Sequence, residues 1–216
     1  MKTKKFLTTA AVLFALVYSS WAQTDLTVKI GEQEWMVGNL NVNTFRNGDS
    51  LLEAKTNKAW EKAGDDGQPA WCYYENNPAH EDRYGKLYNW YAVNDPRGIA
   101  PIDWHVPSDA EWQILIDYLG GESIAGGTMK ESGITHWKVP NIGATNKSGF
   151  SVLPGGLRYI DGEYNDLGDD AYFWSSTDYG SDYAWYRIMG YYFSNIYRNY
   201  YDKRHGFSIR CIRDEE

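Results

Sequence analysis

The apolar positions follow three different rhythms along the chain. Phe6 to Tyr18 is an apolar run broken only by Thr8 and Thr9, with Lys2, Lys4 and Lys5 ahead of it and Ser20-Trp21-Ala22 behind it. A basic flank, a short apolar stretch and small residues before Gln23 predict a cleaved secretory signal. The run falls short of the roughly 20 apolar residues that span a bilayer. No cysteine lies near the cleavage site to carry a lipid. Residues 1–22 are therefore expected to be removed, leaving one domain, 23–216, exported to the periplasm, cell surface or medium. No transmembrane span is expected in that mature chain.

The second stretch mixes short alternations with helical spacing. Val28, Ile30, Trp35 and Val37 alternate around Gly31-Glu32 and predict a hairpin. Residues 46–70 are polar, and Gly64-Asp65-Asp66-Gly67 marks an exposed loop. Trp71 to Tyr74 predicts a short strand. Leu87, Trp90, Tyr91 and Val93 fit a short helix ending before Pro96. Ser108 and Glu111 form a capping box, in which hydroxyl and carboxylate each take the other residue's amide. Trp112, Leu115, Ile116 and Leu119 then line one helical face, and Gly120-Gly121 ends it. A second helix is expected over Ile124 to Glu131, weakened by Gly126-Gly127.

From Phe150 onward the period is two. Phe150–Leu153, Leu157–Ile160 leading into Asp161-Gly162, Tyr172–Ser176, Ala184–Tyr192, Ile196–Tyr200 and Gly206–Arg213 are expected strands. Mixed elements followed by strands predict an α+β class.

Charge narrows the partners. The chain carries a net −8, and losing the three lysines of the signal leaves the mature part at −11, which argues against nucleic acid. Cys72 and Cys211 are the only cysteines. Export permits a bridge between them, and two buried thiols fit equally well. Among the histidines, His80, His105, His136 and His205 show no metal-binding spacing, and His105 reads as a hydrogen-bonded internal residue. The acids and Asn165 between Asp161 and Asp170 offer oxygen ligands that suit calcium, and a solvated hairpin tip accounts for them as well. No other cofactor is expected.

Tyrosine is concentrated at the C-terminal end. Nine of the chain's 18 fall within residues 172–201, among Ser, Asn, Asp and Arg. Tyrosine gives broad amphipathic contact at low rotamer cost, as in antibody paratopes, although aromatic residues also favour pleated faces. Alternation assigns Trp185, Met189 and Tyr191 inward, with Tyr186, Ile188 and Tyr192 outward. The expected ligand-facing set is Tyr179, Tyr183, Tyr186, Ile188, Tyr192, Asn195, Tyr197 and Asn199, on one contiguous face above a buried Trp185.

Several runs resemble the Fibrobacter succinogenes major paralogous domain. They are Gly31 to Met36 with Asn39-Leu40, Tyr84 to Val93, Trp104 to Trp112, Thr145 to Phe150, Leu153 to Gly156, Trp174 to Thr177 and Gly206 to Cys211. They occur in the family's order over nearly the whole mature chain. The family's usual Cys-Pro before the Trp-His-Val-Pro motif is Ala100-Pro101 here, so a bridge from that position is absent. The resemblance implies a C-type-lectin-like architecture related to formylglycine-generating enzymes, with two main helices and a twisted antiparallel sheet. It implies no established activity.

Two functions follow as expectations. The first is a recognition module, lectin-like or adhesin-like, binding glycan or a surface protein. The second is an exported enzyme or accessory protein acting on polysaccharide, for which Asp109 and Glu111 are the nearest acidic pair.

Overall fold

The early alternation becomes a hairpin as expected. Strands β1 (Thr27–Ile30) and β2 (Gln33–Met36) pair antiparallel, with Ile30 opposite Gln33 across the Gly31-Glu32 turn. The computed structural model describes residues 26–215, so the expected signal segment lies outside the described residues.

The polar stretch 46–70 is more ordered than its composition predicts. It holds β3 (Leu52–Glu53) and a helix, α1 (Asn57–Asp65), whose N-cap Thr56 accepts from the Ala59 amide at 3.1 Å. This helix buries only Trp60, Ala63 and Gly64. One indole and two small residues leave too narrow a stripe to stand out in sequence. Strand β4 (Ala70–Cys72) lies between β3, parallel, and β5 (Leu87–Tyr88), antiparallel. Two 3-10 turns, Tyr74–Asn76 and Pro78–His80, and the single-turn α2 (Glu81–Tyr84) connect β4 to β5.

The helix expected from Leu87 is split. Leu87 pairs in β5, and α3 (Trp90–Val93) starts only after Asn89, whose side chain accepts from the amides of Ala92 and Ala70. A side chain bound at both points fixes the change of conformation at that residue.

Strand β6 (Trp104–His105) leads into α4 (Asp109–Tyr118), which opens with the complete capping box. Helix α5 (Glu122–Met129) forms despite its glycine pair. Both glycines are buried under neighbouring chain: a Cβ on Gly126 would lie 2.2 Å from the Asn195 carbonyl oxygen, and one on Gly127 would lie 2.4 Å from that of Gly143. The pair is there for close backbone approach. Among the described residues there are thus three helices of eight to ten residues, where two main ones were expected.

The C-terminal half supplies the largest sheet. Strands β7 (Gly155–Arg158), β8 (Tyr164–Leu167), β9 (Asp170–Tyr179), β10 (Tyr183–Gly190) and β11 (Tyr197–Asp202) take the order β11-β10-β9-β7-β8. The last strand, β12 (Ile212–Arg213), inserts between β2 and β6 in the first sheet. The class is mixed α and β, mostly β. Residues 150–153 and 206–209 make only isolated bridges, because their backbone groups go singly to different elements. Ser208, for example, donates to Tyr172 and accepts from Trp174.

Both faces of the central strands β7, β9 and β10 are covered over most of their length. Tyr172, Trp174, Tyr186 and Phe207 belong to one core cluster, and Phe173 and Met189 join Trp35, Trp112 and Phe150 in another. A third cluster gathers Trp60 and Cys72 beside α1. Among the described residues no helix is long and apolar enough to cross a membrane.

One expected outcome tests the packing of α5. Gly→Ala in an exposed helix gains about 1 kcal/mol, whereas Gly126→Ala is expected to cost about 1–3 kcal/mol through overpacking. Urea denaturation gives the sign directly.

Candidate functional site: an aromatic face at the end of the large sheet

Strands β9 and β10 meet at a turn over 180–182 that leaves the sheet's cover behind. Tyr179 pairs with Tyr183 there, and Trp185 pairs with Tyr200 on β11. Directly opposed residues share a face, so four rings converge. Tyr179 and Tyr200 stack with centroids 4.1 Å apart at 23°. Trp185 meets Tyr179 edge-on at 4.8 Å and Tyr200 at 5.7 Å, and Tyr183 meets Tyr200 at 5.8 Å. The three tyrosines remain 43–44 % exposed. Asp178, Ser181 and Asp182 stand exposed at the rim.

Charge fixes the inner edge of this face. The Arg198 guanidinium lies 3.3 Å from the centre of the Trp185 ring, a cation–π contact. It also holds both carboxylate oxygens of Asp109, with Nε 3.0 Å from each. The wholly buried Arg187 reaches the same carboxylate at 2.7 Å. Burial works to raise the Asp109 pKa, and the bonds from Arg198 and Arg187 outweigh it and hold the carboxyl below its usual range. Asp109 is the first residue of α4, so the capped helix start anchors the aromatic face.

The expected ligand-facing residues do not form one face. Tyr179 and Tyr183 belong to the cluster just described. Ile188, Tyr197 and Asn199 share the opposite side of the sheet with Tyr186. Tyr192 is exposed and Asn195 half-buried in the loop between β10 and β11. Tyr186 is corrected outright: it is 4 % exposed and packs on Trp174 and Phe207. The alternation itself holds, but it puts Tyr186 in solvent only if the sheet is covered on one side. Here the second side is covered too. Trp185 is accordingly half-buried within the aromatic face and not beneath it. Sequence reasoning missed Tyr200, Arg198 and Asp109. The adjacent pair Tyr200-Tyr201 carried a signal, since one of the two must leave a one-sided core.

The profile described as the Fibrobacter succinogenes major domain matches residues 28–213. The chain belongs to this family. No curated protein and no solved structure matches it.

The runs that resembled the Fibrobacter succinogenes major domain act mainly inside the fold. Trp90 Nε1 donates to the Ser175 carbonyl at 2.8 Å and Trp174 Nε1 to that of Tyr88 at 2.9 Å. Tyr88 Oη donates to the Val42 carbonyl at 2.7 Å, and Asn39 Nδ2 to that of Tyr84 at 2.9 Å. None of the aromatic-face tyrosines comes from these runs.

His105 is held between two acids. Its Nε2 is 2.7 Å from Glu111 and its Nδ1 2.6 Å from Asp214. The bond to Glu111 does most to lift its pKa to about 9, against burial, with Asp214 adding to the rise. Burial opposes ionisation of Glu111, yet the bonds from His105 and Ser108 bring it to about 2. Both imidazole nitrogens are taken, and Ser108 Oγ bonds Glu111 and not the histidine, so no Ser–His nucleophile is assembled.

The cysteines are free and buried, Cys211 in the first core cluster and Cys72 in the third. Burial pushes the Cys211 thiol up to about 12. The acids of 161–170 have protein partners: Asp161 accepts from the Glu163 amide, Glu163 from Asn57, Asp166 and Asp170 share the Tyr172 hydroxyl, and Asp169 pairs with Lys138. Among the described residues no three His, Cys, Asp or Glu side chains gather as metal ligands would.

The His105 cluster sets a pH dependence. A histidine raised above its unfolded value of about 6.5 stabilises fully below that pH, and the contribution is lost as pH rises through about 9. Glu111 contributes fully above its unfolded value, and that part is lost as pH falls through about 2. Urea denaturation at pH 6 and pH 9.5 is expected to find the protein weaker at the higher pH. The difference should shrink in His105→Gln.

Proposed function

We propose that the protein is an exported, non-catalytic recognition module of C-type-lectin-like architecture that binds glycan through the Tyr179–Tyr183–Trp185–Tyr200 face. The observation that carries this reading is the ring cluster itself. Four mutually packed aromatic side chains stay partly exposed at the β9–β10 turn, beyond the part of those two central strands that is buried on both faces. Such rings are ordered before a ligand arrives, so little rotamer entropy is lost on contact. Flat, partly hydrated rings suit the C–H faces of sugars, and the rim groups Asp178, Ser181 and Asp182 suit their hydroxyls. Export rests on the signal pattern of residues 1–22.

The polysaccharide-enzyme reading fits the acids less well. Glycoside hydrolysis uses two carboxyl groups about 5–10 Å apart flanking the bond, one of them kept protonated. Asp109 is committed to Arg187 and Arg198. Glu111, at about 2, is shifted away from the range of a general acid.

The test is a glycan array with matched stability measurements. Tyr179→Ala combined with Tyr200→Ala is expected to abolish retention at a stability cost of about 1 kcal/mol or less, as for surface changes. Tyr186→Ala is expected to cost about 3–5 kcal/mol as a core truncation. Wild-type retention by the double variant would put the ligand elsewhere. Binding to a purified surface protein and to no glycan, with the same dependence on these tyrosines, would replace glycan by protein as the ligand.

A further inference from the structure

A cavity lies away from the aromatic face, between β2, the end of α5 and the last segment of the chain. It measures about 340 Å³, near the lower end of the range for small-molecule sites. Its polar lining is Asn39, Arg83, Glu131, Asn146, Ser151 and Arg210.

Arg210 is the unusual member. It is 1 % exposed and lies 4.5 Å from the centre of the Phe150 ring. Its guanidinium bonds the carbonyls of Met36 at 3.1 Å and Phe150 at 2.7 Å, and Asn39 Oδ1 at 3.2 Å and 2.8 Å. All three acceptors are neutral, and these four contacts leave one of its five N–H donors. Arg187, equally buried, has the Asp109 carboxylate; Arg210 has no carboxylate partner among the described residues. A buried cation lacking a counter-ion is costly, and here it borders a space large enough to admit one.

The remaining lining selects the anion. Arg83 is exposed and adds a second cation. Glu131 adds a negative charge, but both its oxygens already face His136 Nδ1 at 2.8 and 2.9 Å. One carboxylate in the wall disfavours a dianion. Asn146 and Ser151, bonded to each other at 2.8 Å, present amide and hydroxyl chemistry suited to a ligand hydroxyl. We infer that this cavity binds a small monoanionic hydroxycarboxylate, no larger than a sugar acid, with its carboxylate toward Arg210 and Arg83.

Gly38 gives a clean way to close the site. It lines the cavity, its φ lies outside the left-handed region, and a Cβ there would meet nothing within 4 Å. Calorimetric titration and thermal shift at constant ionic strength would compare D-glucuronate, lactate, inorganic phosphate and glucose. Glucuronate or lactate is expected to bind and raise the melting temperature, with glucose inert and phosphate weaker. Gly38→Phe is expected to weaken carboxylate binding by about 10-fold or more and Arg83→Ala by about 5-fold, each melting as wild type without ligand. The Tyr179→Ala/Tyr200→Ala variant is expected to bind carboxylate normally, so this site and the aromatic face stand or fall separately. The inference is overturned by no carboxylate binding, by an equal response to glucose, by tighter phosphate binding, or by affinity unchanged in Gly38→Phe.

Discussion

The fold hangs on positive charges held inside it. Lys130, fully buried at the end of α5, donates to the carbonyls of Ile142, Gly190 and Phe193 at 2.7–2.9 Å and so ties three separate segments together. Arg158 does the same for Ala54 and Gly162, Lys203 for Gly180 and Ser181, and Arg210 for Met36 and Phe150. Each lies over an aromatic ring: Lys130 over Trp137, Arg158 over Trp60, Lys203 over Trp90, Arg210 over Phe150. The physical need is plain. Many strands here are only two to four residues long, so many buried carbonyls find no ladder partner, and an unpaired one is costly. An ammonium brings three donors and a guanidinium five, and the ring face offsets part of the lost hydration. Burial pulls Lys130 down to about 8, the mark of a cation held by dipoles and rings with little help from carboxylates.

This arrangement explains a composition that looks contradictory. A chain with 10 Trp and 18 Tyr has a mean hydropathy of −0.59. The aromatic side chains provide the buried area and also the seats for the internal cations. Several indole nitrogens meanwhile serve as long-range donors to carbonyls, as Trp90 and Trp174 do. Packing and hydrogen bonding are therefore supplied by the same residues, which is why a core this rich in polar atoms holds together.

What could be read from sequence was what is local. The β1–β2 hairpin and the α4 capping box are complete within a few residues, and both formed as their patterns predict. Helix α1, the role of Gly126-Gly127 and the burial of Tyr186 depend on segments far away in the chain, and no window contains them. Arg187 and Arg198 make the point sharply. They sit directly opposite each other on β10 and β11, one wholly buried and the other exposed, although each follows a tyrosine in a strand rich in aromatic residues. The aromatic face was legible as a tyrosine-rich region, and the expected set contained two of its rings, Tyr179 and Tyr183. Which other residues share their face was not legible, because that depends on what covers each side of the sheet.

Two guanidiniums opposite each other should repel, and the way this is resolved links frame to surface. Asp109 accepts from both, so a single carboxylate makes the like-charged pair stable and brings Arg198 onto Trp185. Asp109 can do this because the Ser108–Glu111 box fixes where α4 begins; a helix start displaced by one residue would swing that carboxylate by about 100° around the axis. The capping box is thus more than a local stabiliser. It transmits the register of a framework helix to a surface of side chains drawn from outside the motif runs. The frame beneath them is tied together separately, its buried carbonyls held by Lys130, Arg158, Lys203 and Arg210 and by the Trp90 and Trp174 indoles.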